Sequence, residues 1–76
     1  MNMESRIERL RTLLSERELD AVLVTKEVNL HYFSGFRGDS TALIVTHDRL
    51  VLVTDSRYTE QAAVQAPHYE IIEQKD

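Results

Sequence analysis

Thr41-Ala42-Leu43-Ile44-Val45-Thr46 and Leu50-Val51-Leu52-Val53-Thr54 are two strand-forming runs joined by only His47, Asp48 and Arg49. A three-residue link can reverse the chain but cannot carry it back across a sheet, so the runs form an antiparallel hairpin. That pairing excludes a purely parallel sheet and sets the frame for the flanking elements.

Upstream, residues 20–25 place apolar side chains in succession rather than in alternation, which predicts a central strand covered on both faces. Asn29 is placed to cap a short helix through Leu30, His31, Tyr32 and Phe33, and Gly35 to supply the left-handed turn that ends it. Residues 3–14 repeat Met3, Ile7, Leu10 and Leu14 at helical spacing, with Leu13 widening the stripe. The opposite face, with Arg6, Glu8, Arg9 and Arg11, reads as a solvated surface.

Downstream, Asp55 or Ser56 caps a second long helix running to about Ala66. Glu60 sits near its positive end and Pro67 stops it. Residues 69–73 read as a fourth strand. The order helix, strand, short helix, antiparallel hairpin, helix, strand describes a small layered α/β domain with a mixed sheet.

Seventy-six residues allow one domain, and chains of this size bury only about 60% of their unfolded surface. An enclosed substrate cavity is not expected. Thirteen acidic against nine basic residues give a net charge of −4, which disfavours nucleic acid, since phosphate-backbone binders carry a basic stripe. Without cysteine, the chain has neither disulfides nor thiolate chemistry, and its composition suits a reducing cytoplasm. The N-terminus lacks the apolar run of a signal peptide or membrane span.

The sequence offers no pattern for a catalytic residue or a metal site. His31, His47 and His68 are far apart, with no His-Glu-x-x-His spacing. There is no Gly-x-Ser-x-Gly elbow, and two glycines are too few for a dinucleotide or Walker loop. Two polar clusters remain. Asp55, Arg57 and Tyr58 stand where a strand gives way to a helix, and Arg57 offers a planar fork suited to a peptide carboxylate or carbonyl. An Asp55–Arg57 pair that locks the turn is the alternative. Phe36, Arg37 and Asp39 form the other cluster, on a loop bracketed by Gly35 and Gly38. Phe36 is there either an interface anchor or a core residue. The two loops are candidates to be neighbours in space.

The run Asn29-Leu30-His31-Tyr32-Phe33-Ser34-Gly35-Phe36-x-Gly38, followed by Leu43-Ile44-Val45 and Thr54-Asp55-x-Arg57-Tyr58-x-x-Gln61-Ala62, resembles the N-terminal domain of creatinase/prolidase-type proteins. The likeness is greatest to bacterial Xaa-Pro dipeptidases and aminopeptidases. Leu19-Asp20-Ala21-Val22-Leu23-Val24 after the opening helix is similar to the family's usual start. This resemblance implies a truncated creatinase N-terminal, ribonuclease H-like domain over residues 1–76, as a piece of a longer chain lacking the catalytic domain. It further implies a cytoplasmic parent Xaa-Pro metallopeptidase with two divalent ions, manganese, cobalt or zinc, all held outside this piece. The domain's own part would be self-association and bordering the active site. Arg57, Phe36 and Arg37 would meet the proline-containing peptide, while Gly35, Gly38, Asp55 and Tyr58 shape turns. A peptide- or protein-binding module of an inactive relative, and a creatinase-like amidinohydrolase, are the alternatives. Glu18 stands where the family commonly has glycine, so the first helix is expected to end in a different cap. An unpaired sheet edge is expected to favour pairing with a second copy.

Overall fold

The computed structural model of the protein describes residues 2–74. The hairpin forms as expected from β2 (Ala42–Thr46) and β3 (Leu50–Thr54), with Leu43 opposite Leu52 and Val45 opposite Leu50. β1 (Ala21–Val24) pairs antiparallel with β2, and β4 (Glu70–Glu73) pairs parallel with β3. The resulting mixed sheet has the order β1-β2-β3-β4.

This order corrects the reading of residues 20–25, because β1 lies at an edge and has one face open, with Leu23 64% exposed. The hairpin fills one side of β2, and the crossover from β3 to β4 extends the sheet away from β1. The apolar succession is present, but among the described residues a cover exists only over Val22 and Val24.

That cover is built from α1 (Met3–Glu16), α2 (Glu27–Ser34) and α3 (Thr59–Gln65). Ile7, Leu30 and Ala62 from the three helices close on Val24, Leu43, Val45 and Leu52. Asn2 caps α1 by accepting the Ser5 N–H at 2.8 Å. Ile7 and Leu14 are buried and Met3 and Leu10 half-buried, while Leu13 lies towards solvent.

Three further local expectations change. α2 starts at Glu27 rather than at an Asn29 cap, because the Leu30 N–H already bonds the Lys26 carbonyl at 2.8 Å. Asn29 is therefore inside the helix, and Glu27 supplies the favourable first-turn charge. Asp55 caps a short 3-10 turn, Ser56–Tyr58, that leads into α3. The charged side of α1 is not simply solvated. Arg11 donates to the Thr46 and Arg49 carbonyls at 2.8 and 3.3 Å, pinning α1 to the hairpin turn. Arg6 donates to the Tyr32 carbonyl at 3.0 Å and lies 4.5 Å from the centre of that residue's ring.

The end of α1 keeps the left-handed cap that glycine usually makes. Glu18 adopts φ 56°, while Leu19 N–H bonds the Leu14 carbonyl at 2.9 Å and Glu18 N–H that of Ser15 at 3.2 Å. These are the paired bonds of a Schellman motif. The expected change of cap is therefore not seen, because a glutamate here holds the left-handed position that glycine usually fills.

Candidate functional site

The loop after α2 is set by its two glycines. Gly35 takes φ 80° and ends α2 through a bond to the His31 carbonyl at 2.8 Å. At Gly38 a Cβ would stand 2.6 Å from Cζ of Phe36, so only glycine lets the backbone lie against that ring. Phe36 is fully buried, its N–H bonded to Ser34 Oγ at 3.1 Å. An exposed anchor or rim role for Phe36 is thereby corrected: its ring turns inward, into the core cluster, because that burial is what holds the loop against the domain.

The two polar clusters are brought together. Tyr58 packs edge-on to Phe36 at 6.0 Å between ring centres, and its hydroxyl donates to Asp39 at 2.9 Å. Asp55 accepts the Arg57 N–H at 2.9 Å and the Arg57 guanidinium at 2.7 to 3.3 Å. Asp39 adds a second carboxylate 3.6 Å from the same guanidinium. Turn-locking is thus built at Arg57, with Nε and one terminal nitrogen committed to carboxylates.

Arg37 is arranged in the opposite way. Its N–H donates to Gln65 Oε1 at 3.1 Å, and its carbonyl accepts from Gln61 Nε2 at 2.6 Å, so two glutamines of α3 hold its peptide groups. Its own side chain is exposed and, with Glu27, Val28 and His31, lines an open cleft of about 370 Å³. Gln61 belongs to the Thr54–Ala62 run, but nothing in the sequence pairs Gln65 with a residue 28 positions earlier.

Electrostatics at the site favour fixed charge over proton transfer. Hydrogen bonding to Arg57 holds the Asp55 carboxyl below its ordinary value, and the same bond raises Arg57. The Tyr58 hydroxyl is pushed up by the bond it donates to Asp39, which only the neutral phenol can make. All three shifts move away from neutrality, opposite to the tuning of a general acid or base. Among the described residues no three His, Asp or Glu side chains are grouped to hold a metal.

Residues 6–76 match the Creatinase/Prolidase N-terminal domain family. A curated relative, the uncharacterized peptidase YqhT of Bacillus subtilis, is 40% identical over 68 residues, covering 90% of this chain and 19% of its own. The Xaa-Pro dipeptidase of Bacillus anthracis superposes with a TM-score of 0.91 at 36% identity, covering 99% of this chain and 21% of that one. The solved N-terminal domain of the cytoplasmic peptidase PepQ from Mycobacterium tuberculosis gives 0.88 at 40% identity, covering 93% and 56%. This chain therefore spans about a fifth of the B. subtilis relative.

Proposed function

The chain belongs to the creatinase/prolidase N-terminal domain family, and on that premise we propose that it is the non-catalytic N-terminal domain of a Xaa-Pro dipeptidase or aminopeptidase. In this reading it borders an active site furnished by other polypeptide, where the bond before proline is hydrolysed. The two divalent ions such an enzyme uses, manganese, cobalt or zinc, do not fit the residues described here, which offer no convergent carboxylate and imidazole set.

The observation that carries the reading is at Arg37, whose peptide groups are gripped on both sides while the residue stands exposed at the cleft that His31 also lines. A cation whose point of attachment is fixed at the rim of an open cleft suits the carboxylate or carbonyl of a short peptide. Arg57 supports it less directly, keeping only the terminal nitrogen not engaged by Asp55 and Asp39 for a peptide carbonyl. Phe36 backs the loop from inside.

Among the described residues no helix is long and apolar enough to cross a membrane. The likeness to the cytoplasmic peptidase PepQ of Mycobacterium tuberculosis supports a cytoplasmic setting. The free edges of β1 and β4 support self-association, and a monomer at every concentration in sedimentation would refute that part.

The test is a chimera in which residues 2–74 replace the matching span of the B. anthracis dipeptidase. The chimera is expected to cleave Xaa-Pro dipeptides. Arg37→Ala is expected to raise KM about tenfold, the size of one lost charged hydrogen bond, with the fold intact. A folded, active chimera indifferent to both Arg37→Ala and Arg57→Ala would overturn the bordering role. Manganese-dependent turnover by the purified 76-residue chain alone would overturn the non-catalytic one.

A further inference from the structure

Apart from Tyr69, the buried polar residues among those described are Ser34, Thr41 and Thr54, and all three serve the loop that carries Arg37. Ser34 holds its start, donating to the Leu30 carbonyl and accepting the Phe36 N–H. Thr41 holds its end: its hydroxyl donates to the Asp39 carbonyl at 2.8 Å and lies 2.9 Å from the hydroxyl of Thr54. A threonine has one hydroxyl proton, and Thr41 gives it to Asp39, so within the pair Thr54 donates and Thr41 accepts.

Stability alone gives no reason for a hydroxyl at Thr54. The residue is fully buried at the end of the aliphatic strand β3, where valine would have nearly the same shape, a preference for strands and no hydroxyl to take out of water. A buried hydroxyl with its partner in place adds direction rather than apolar contact. What it directs is a strained turn: Ser40, a non-glycine residue, sits at φ 51° beneath the bond from Thr41 to Asp39.

The bonds close on themselves. Thr54 is followed in the chain by Asp55, which holds Arg57; Asp39 stands 3.6 Å from the same guanidinium and accepts the Tyr58 hydroxyl; Thr41 leads from Asp39 back to Thr54. We propose that Thr54, acting through Thr41, is a positioning residue that locks the Arg37 loop to the Arg57 turn, so that a peptide meets both arginines on one rigid unit. That role rests on peptide contact at Arg37 and Arg57.

The glutamines of α3 hold the loop at Arg37, and the hydroxyl relay holds it at Asp39. With one point of attachment the loop can pivot; with two it cannot. A loop already fixed in its bound geometry avoids the cost of ordering when a peptide arrives. The relay touches no reacting atom, so its loss is expected in KM rather than in kcat. It is also expected at Tyr58, whose hydroxyl reaches Asp39 at 2.9 Å only while Asp39 is kept in place.

The test compares Thr54→Val and Thr54→Ser in the whole chain, folding checked by circular dichroism and the titration of Tyr58 followed by NMR. The Tyr58 phenol is pushed above its ordinary 10.0 by the bond to Asp39. Thr54→Val is expected to bring it back towards that value and leave Tyr69 unmoved, while Thr54→Ser keeps the wild-type titration. Thr41→Val cuts the relay from its other end, is expected to match Thr54→Val, and carries the test if that variant does not fold. In the B. anthracis chimera, Thr54→Val is expected to raise KM for an Xaa-Pro dipeptide about fivefold with kcat within about twofold, and Thr54→Ser to restore it. A Tyr58 titration unmoved in a folded valine variant would overturn the proposal, as would an unchanged KM in a chimera that Arg37→Ala impairs. Failure of both valine variants to fold would make the hydroxyls a stability device and overturn it too. A chimera indifferent to Arg37→Ala and Arg57→Ala, with Tyr58 shifted, would instead overturn peptide contact, and the positioning role with it.

Discussion

The two faces of one sheet, built from alternate residues of the same four strands, have opposite fates. Leu43 and Leu52 point to the helices and are fully buried, while Leu23, next to Val24 in β1, is mostly in water. Composition alone does not separate the faces, since both carry aliphatic rows, although the open one also holds Glu70 beside Val51. What separates them is topology: all three helices return to one side, so burial follows where the connections run. The same contrast orders the loops, because Phe36 faces the covered side and closes the core, whereas Arg37, one residue on, is exposed, with its peptide groups bonded to α3.

The largest effect expected from that contrast is on packing. Leu43→Ala removes a side chain enclosed on every side and should cost about 2–5 kcal/mol, from lost transfer energy and the cavity left behind. Leu23→Ala, the same chemistry on the bare face, should stay within about 0.5 kcal/mol. Urea unfolding of the two variants reads the difference, and loss of any cooperative transition in Leu43→Ala counts as its upper end. Equal losses would mean that Leu23 is covered in solution, and the comparison would fall.

A smaller effect is expected where Tyr69 seals the covered face. Tyr69 is buried and its hydroxyl donates to the Phe33 carbonyl at 2.8 Å, tying the start of β4 to α2. Burial pushes its phenol from 10.0 up to about 12. Because the folded value lies above the unfolded one, the contribution of the neutral phenol is complete below pH 10 and is lost as pH rises towards 12. Tyr69→Phe should cost about 1 kcal/mol at neutral pH, leaving a partly buried carbonyl without this donor, and should flatten the alkaline fall in stability between those values. An unchanged pH profile would show that the loss comes from another group.

The hairpin and the α2 stop were legible because each depends on neighbours in sequence: three residues between Thr46 and Leu50, and a glycine at Gly35. What escaped depends on partners far along the chain. Arg11 sits in a charge run that looks solvated until the hairpin turn, 35 residues later, brings the Thr46 carbonyl within reach. The clamp on Arg37 needs Gln65, whose place is set only by the packing of α3. The apolar succession in β1 correctly registered a strand with two apolar sides, but not that it would stand at an edge, because strand order is decided by crossovers rather than by the strand. Asn29 resembled a cap, yet the helix had already begun at Glu27, where backbone bonding from Lys26 needed no side chain.

The smallest effect concerns α1, which supplies Ile7 and Leu14 to the covered side. Its closing turn asks Glu18 to hold φ 56°, a conformation that costs an L-residue roughly 1–2 kcal/mol. Glycine at this position relieves the strain but gives back part of the gain, because it has more freedom to lose from the unfolded chain. Glu18→Gly should therefore stabilise the protein by about 0.5 kcal/mol, read as a higher urea midpoint at unchanged slope. A destabilised variant would show that the glutamate side chain does more for this turn than its backbone costs. An unchanged midpoint would mean that the end of α1 opens independently of the sheet, and that the covered face is secured by the rest of the helix.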